Sequence, residues 1–535
     1  MSPRRGGSGG GTVVLDLSDL PDDGGGGGSG GDLPGEGAAP GPRPRHRRAL
    51  LAAVGGAVVV AVALGTVSVV AAHRDEARLV SAAGGLRPLD DAPGRTWSLP
   101  VSGDAGVVHR DGTVVLTGAG TDGSEDSGIE AVDAATGAVR WRVPVGGSAT
   151  CDDGIGPGGD AGDAAGSGWP MTCVGLDGDT ATVTLVGEDG TVVGHREEDV
   201  TGDRPLLPIA GGALVTAVRV GDPPEGGEGF AYDLDGAEPS ELPPGRDVRV
   251  TVTDAATGAE RWSRTLRYAE PDDPWRCVVW TDDDPVGDVA VTDLWVSGGV
   301  VQVSGCGVDA QLTPDGVRLD DPAVDDSVQP LGDGTFLREA TNVTSGVVTA
   351  QEVLDGGARV LWEVPGTLLV PLASDGTGAE TRLVLGDGRL TGYGPDHRAR
   401  WRSPVAADAV LVQTADVAVV AAALRLVAVD LATGETRWTR ELQEPVDGYQ
   451  AFTDGSSAIV TTTLMGRPLD GGAGDGAPVD VDSGEVTGPS GVRVDAYDLA
   501  DGAERWTVTE PPDRNLVAVA GSLLAVDGRS VSRLG

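Results

Sequence analysis

No lysine occurs among the 535 residues, so all 39 basic side chains are arginine. Lysine codons are AT-rich, and the abundance of Ala, Gly, Val, Asp and Arg points the same way, to a GC-rich coding bias without functional meaning. Histidine is scarce: the five stand at 46, 73, 109, 195 and 397. No two have the spacing of metal ligands and none falls in a Ser/His/Asp pattern, so no zinc site or hydrolytic triad is read from them. An excess of positive charge is missing too, since the formal net charge is −43. Residues 1–48 balance six arginines against six acids, and the excess belongs to 73–535, where 33 arginines face 76 acids. A surface of that sign repels nucleic acid and anionic headgroups and attracts cations or basic partners. Aromatics make up only 4% of the chain, yet 11 of them are Trp, which implies fixed slots for that side chain.

The chain does contain one long apolar run. Ala49–Ala72 carries no charge over 24 residues. As a helix it would rise about 36 Å, enough for a hydrocarbon core of about 30 Å. The arginine-rich piece "RPRHRR" precedes it. The positive-inside rule therefore gives a cytoplasmic tail (1–48), a transmembrane helix (49–72), a linker (73–93) and an extracytoplasmic domain (94–535) in a single-pass cell-membrane protein. The competing reading, a cleaved signal, fits poorly with so long a run and 48 residues before it. The tail is Gly-rich and is expected to be disordered.

Four copies of one string dominate the rest: "VDAATGAVRW" (Val132–Trp141), "TDAATGAERW" (Thr253–Trp262), "VDLATGETRW" (Val429–Trp438) and "YDLADGAERW" (Tyr497–Trp506). Each follows an alternating apolar stretch, the pattern of a strand, and the Trp begins a second strand. Asp133, Asp254, Asp430 and Asp498 can take turn amides on their carboxylates. Gly137, Gly258, Gly434 and Gly502 can take the positive φ of a hairpin loop. Trp141, Trp262, Trp438 and Trp506 then fall at one height in every unit. Degenerate copies end at Trp362 and Trp401, and two weaker units, Thr182–Arg196 and Ala310–Leu319, lack the Trp. Glycine at 86 and proline at 35 suit many short strands and turns.

The repeated Asp-x-x-Thr-Gly-x-x-x-Trp resembles the repeat of the PQQ-type β-propellers, which include quinoprotein dehydrogenases and the propeller lipoprotein of outer-membrane barrel assembly. The resemblance implies an all-β fold with the Trp packed between neighbouring blades. It covers most of residues 90–535. The orphan strand "RTWSLPV", with Trp97, matches a Trp strand, while the C-terminal segment ends in three short strands without one. Joining them closes the ring. That makes nine units, above the usual four to eight. One weak unit is therefore taken as an insertion, and eight four-stranded blades are expected, with seven or nine as alternatives.

All four cysteines lie after the apolar run. Cys151–Cys173 and Cys277–Cys306 are the expected disulfides, each joining adjacent strands of one blade; three connectivities fit the sequence alone. Asp-rich pieces at Leu176–Thr180 and Val479–Glu485 lack a full calcium-loop pattern and are read as solvated turns. Asn342-Val-Thr344 fits a glycosylation sequon. The expected function is binding of a protein or ligand on the propeller face, without catalysis, cofactor or metal. The alternative is a PQQ-dependent dehydrogenase. The resemblance would then call for adjacent cysteines over the cofactor and amide-rich calcium ligands, yet no cysteines are adjacent and Asn342 and Asn515 are the only asparagines.

Overall fold

Alternating apolar strands joined by tight turns can only bury their faces by stacking sheet on sheet. The computed structural model does so around a closed ring. It describes residues 72–535 except 90, 102–105, 111–112, 118–127, 147, 153–168, 201–204, 226, 231–241, 272–273, 281–284, 323, 325, 343–346, 443–449, 467–487 and 513. In blade 1, strands Gly106–Arg110, Thr113–Thr117, Gly128–Asp133 and Val139–Pro144 pair antiparallel in chain order. The same plan recurs in blade 2 (148–199), blade 3 (206–266), blade 5 (326–364), blade 6 (367–403) and blade 8 (451–510), and blade 7 (409–441) adds to it a fifth strand, Ala373–Ser374, parallel to Ala409–Gln413. Blade 4 has three strands, Thr292–Ser297, Val300–Gly305 and Val308–Leu312, with only a single bridge, Leu312 to Arg318, where the fourth would lie. Blade 9 combines Asn515–Val519, Ser522–Asp527 and Ser530–Leu534 with Arg95–Pro100 from the other end of the chain. Its register runs from Arg95 opposite Leu534 to Pro100 opposite Ser530, so the ring is shut without a covalent link.

The expected eight blades are thus nine. The unit at Ala310–Leu319 contributes to a sheet of its own and is not an insertion. The real insertion is the small sheet of Gly229–Phe230, Pro285–Asp288 and Val278–Trp280, built from connections around blades 3 and 4. The expected transmembrane helix at 49–72 is also corrected. Among the described residues no helix is long and apolar enough to cross a membrane. The helix at residues 72–81 is mostly exposed and carries His73, Arg74, Asp75, Glu76 and Arg78. Residues 49–71 and the tail 1–48 lie outside the described residues.

Residues 73–93, read from sequence as a linker, are built into the ring. Leu86 is fully buried. Its N–H donates to Thr453 O at 2.8 Å, and Thr453 N–H donates to Gly84 O at 2.9 Å. Ser374 N–H donates to Ala83 O, and Arg87 N–H to Gly521 O, both at 2.8 Å. The segment therefore ties together blades 8 and 9 and the added strand of blade 7. An apolar side chain withdrawn this completely is worth about 1.5–3 kcal/mol, and each unpaired buried amide left behind would cost about 1–3 kcal/mol. A chain beginning at residue 94 should therefore melt well below one beginning at residue 72. Equal midpoints in thermal unfolding of the two would show that the segment merely rests on the ring.

Candidate functional site

The motif residues lie at the joints between blades. Each indole of an outer strand reaches the next blade. Nε1 of Trp97 donates to Ala134 O at 3.2 Å, of Trp141 to Glu188 O at 2.9 Å, and of Trp262 to Pro314 O at 2.8 Å. Trp401 donates to Leu431 O at 2.6 Å and Trp438 to Leu499 O at 3.0 Å. The ring of each lies against the turn glycine of that next blade. A Cβ on Gly137 would sit 2.7 Å from Trp97, on Gly190 2.6 Å from Trp141, and on Gly502 2.6 Å from Trp438. The glycine is thus required twice, by its positive φ and by the indole pressed on its Cα. Trp506 has no such turn to reach, because the third and fourth strands of blade 9 come from opposite chain ends. Leu89 O accepts its Nε1–H instead, at 3.1 Å.

Within a turn, Asp133 Oδ1 accepts from Ala135 N–H at 3.1 Å and from Thr136 N–H and Oγ1–H, both at 3.0 Å. Its other oxygen takes the arginine that precedes the Trp, Arg140, at 2.7 Å. Arg261 with Asp254, Arg437 with Asp430 and Arg505 with Asp498 repeat this pair at 2.7–2.8 Å. The arginine bond, then the threonine, hold Asp133 and Asp254 down to about 2. Their help to the fold is complete above the ordinary carboxylate value and fades as pH falls toward 2. The sequence reading missed these arginines, although an Arg-Trp doublet stands in all four strong copies.

Eight joints carry an apolar cluster. Val107, Val114 and Leu116 meet Val517, Val519 and Leu524 where blade 9 joins blade 1. Ile129 and Ala131 meet Met171 and Cys173 at the next, Val183 meets Leu206 and Leu214, and Val215 and Val250 meet Val301 and Val303. Leu337 and Trp362 meet Leu368, Leu390 and Trp401 meet Val410, Leu411 and Val419 meet Ala458 and Val460, and Val494 and Trp506 meet Leu516 and Leu523. Besides the Trp506 joint, the latch varies at two of them. Gly258 faces the guanidinium of Arg196, and Trp362 stacks on His397, which holds the glycine's place at φ 57°.

The joint between blades 4 and 5 departs from this plan, and it is the candidate site. Four residues after its turn glycine, Gly316, stands Asp320 in place of Trp, and the receiving turn has Ala358 at φ 60° in place of Gly. Alternation puts Leu294, Val296, Val301, Val303, Ala310 and Leu312 on the face of blade 4 that packs on blade 3. The other face carries Asp293, Trp295 and Ser297, with Trp295 opposite Gln302 and Gln302 opposite Gln311. Trp295 Nε1 donates to Gln302 Oε1 at 2.8 Å, and its ring is 41% exposed. Gln311 crosses to the inner strand of blade 5: Nε2 donates to Asp326 O at 3.1 Å, and Val328 N–H donates to Oε1 at 2.7 Å. Arg338 Nη1 donates to Leu319 O at 3.3 Å and Nε to Glu352 Oε2 at 3.0 Å. Burial first, then the charges of Asp320 and Asp321, push the carboxyl of Asp326 up to about 6 against the Asp321 amide and Arg338.

Both expected disulfides form, with S–S distances of 2.03 Å for Cys151–Cys173 and 2.08 Å for Cys277–Cys306. Cys151 and Cys173 are register partners on adjacent strands. Cys277 differs from expectation: it ends a short 3-10 helix, Pro274–Cys277, and is tied to the turn after Val300–Gly305, so this bridge fastens the inserted sheet to blade 4. Asp177 and Thr180 flank a hairpin turn, while 479–485 lies outside the described residues. Among the described residues no group of three or more His, Cys, Asp or Glu side chains is placed to hold a metal ion.

No protein-family model and no curated protein matches the chain. Among solved structures it is similar to BamB from Moraxella catarrhalis, at 13% identity over 83% of this chain and 99% of that one, with a TM-score of 0.33. It is similar to a quinohemoprotein alcohol dehydrogenase from Comamonas testosteroni at 14% identity over 70% and 73%, TM-score 0.23. It is also similar to apo AztD from Citrobacter koseri at 10% identity over 80% and 89%, TM-score 0.30. The propeller assignment rests on the sheet order and the closed ring of this chain itself.

Two substitutions separate the parts of the latch. Gly502 has φ +69° beneath Trp438, whereas Gly388 has φ +67° with nothing near its missing Cβ. Gly388→Ala should cost about 1 kcal/mol for backbone strain alone. Gly502→Ala should cost roughly 1–3 kcal/mol more, because the indole must move. Equal losses in denaturant unfolding would remove the indole from the account. At the polar joint, Gln311→Ala should cost about 1–3 kcal/mol by stranding Val328 N–H and Asp326 O. A change below about 0.5 kcal/mol by the same measurement would mean that water or relaxation replaces the amide.

Proposed function

We propose that this chain is a non-catalytic binding propeller that takes a basic protein partner at the exposed edge of blade 4 around Trp295. One observation carries the reading. Trp295, on the inner strand Thr292–Ser297, keeps an exposed ring that is held in orientation by Gln302 and flanked by exposed Asp293 and Ser297. In blade 7, by contrast, Val410, Leu411 and Val412 of the inner strand are all buried. A fixed indole beside a carboxylate suits an arginine or lysine side chain, which gains from the ring face and the charge together. The net charge of −43 would speed the approach of such a partner. Two disulfides support an oxidising, extracytoplasmic location.

Isothermal titration with an arginine-containing peptide at near-physiological salt tests the reading. Trp295→Ala should weaken binding roughly 3- to 30-fold, the worth of one cation–π contact, and leave the unfolding midpoint nearly unchanged. Binding that survives Trp295→Ala intact and vanishes with added salt would reduce the interaction to unspecific charge attraction and move the binding face elsewhere.

A further inference from the structure

The joint between blades 4 and 5 buries a carboxylate with little compensation. The side chain of Asp326 is only 4% exposed, and Arg338 stands 3.9 Å away, beyond hydrogen-bonding reach. It accepts the Asp321 N–H at 2.7 Å. The charged groups around it are mostly acids or already engaged. Asp320, 6% exposed, pairs with Arg318, and Asp321 adjoins it. Arg338 is shared with Glu352 and Leu319 O. Asp326 also supplies a backbone carbonyl to Gln311, the side chain that crosses the joint. Any shift of Asp326 toward water therefore pulls on the bonds that hold the two blades together.

We propose that this joint is an acid-tightened hinge of the ring: a protonated Asp326 keeps blades 4 and 5 closed, and its ionisation loosens them here while the eight apolar joints stay shut. The direction follows from burial, which raises this carboxyl to about 6. A group that holds its proton more tightly when folded stabilises the closed joint below the ordinary carboxylate value. That stability declines as pH rises through the window up to about 6 and stays lost above it. No apolar cluster spans this joint among the described residues, and no indole latch crosses it, so the polar bonds resist the loosening alone. The hinge is a property of the joint and does not depend on what Trp295 binds.

Hydrogen exchange followed by mass spectrometry from pH 5 to 8, corrected for intrinsic rates, reads the joint directly. In the full chain, protection of Asp326–Pro330 and Val308–Leu312 should fall by up to roughly tenfold between pH 5 and 7.5. Protection of Arg425–Asp430 in blade 7 should not follow. Asp326→Asn keeps an oxygen for the Asp321 amide and should flatten the pH dependence at a protected level. A pH-independent joint in the native chain, or the same fall in Asp326→Asn, overturns the hinge. Should Asp326→Asn not fold, the carboxyl 13C shift of Asp326 in the native chain still decides: titration near 6 supports it, and titration below 4 sinks it.

Discussion

The contact on which most of this ring depends is an indole lying on a glycine of the next blade, made at five of the nine joints. The contact fixes three things together. It buries the largest side chain in the repeat, it satisfies the indole N–H on a turn carbonyl, and it sets how far each sheet is rotated from its neighbour. A contact of constant geometry, repeated at five joints, holds neighbouring sheets at a similar angle as they come round to meet. The Asp-Thr-Arg set serves the same end one step earlier. It holds the turn rigid, so that the carbonyl and the glycine stand ready where the indole arrives. An exposed ion pair such as Arg140–Asp133 contributes little by itself. Its value lies in presenting the turn.

The last joint shows how strongly the indole needs a partner. Blade 9 is assembled from both chain ends, with Gly535 N–H donating to Gly94 O at 2.9 Å where other blades have a turn. No motif carbonyl exists there for Trp506. The chain meets the need with Leu89, from a segment whose sequence gives no sign of the role. The buried Leu86 and the amides around it follow from that placement. Closure of the ring is therefore two layers deep: strand Arg95–Pro100 completes the sheet, and the residues before it complete the latch.

What was legible in the sequence is what repeats. The strands, the turn glycines, the Trp slots and closure through Trp97 could be read because several copies vouched for each spacing, and the cysteine pairs followed from placing each pair on adjacent strands of one blade. The blade count failed where a copy had drifted. Unit 310–319 carries Asp320 in the Trp place, although Gly316 still lies under Trp262, and discounting one weak unit to keep within the usual four to eight blades removed a real sheet from the count. The 24-residue apolar run was read from its length, its hydropathy and the arginines before it; residues 49–71 lie outside the described residues, among which no helix is long and apolar enough to cross a membrane. The linker was misjudged because Leu86 and Leu89 make single contacts, with no period to announce them. The candidate site was illegible for a related reason. Its polar face is a departure from the repeat, and one chain cannot distinguish a meaningful departure from decay.

The departure has a physical consequence that decay alone would not give. Losing an indole and its glycine should leave a cavity or an open seam, at a cost of a few kcal/mol. Here polar side chains cross the space and bond to backbone groups on its other side. Gln311 imitates a strand edge, offering both donor and acceptor to the inner strand of blade 5. Arg338 reaches back to Leu319 O. Such a joint gains direction and gives up the insensitivity to pH and salt that apolar contact provides. The two kinds of carboxylate in the ring express the same contrast. Those of the turns sit in the open beside arginine and are held down to about 2 at Asp133 and Asp254, whereas Asp326, enclosed among other acids, is raised to about 6. Near neutral pH the turn carboxylates keep their charge under all ordinary changes, so the latches stay set. Among the described joints, the one with neither an indole latch nor an apolar cluster is thus also the one that encloses a carboxyl raised toward neutral pH.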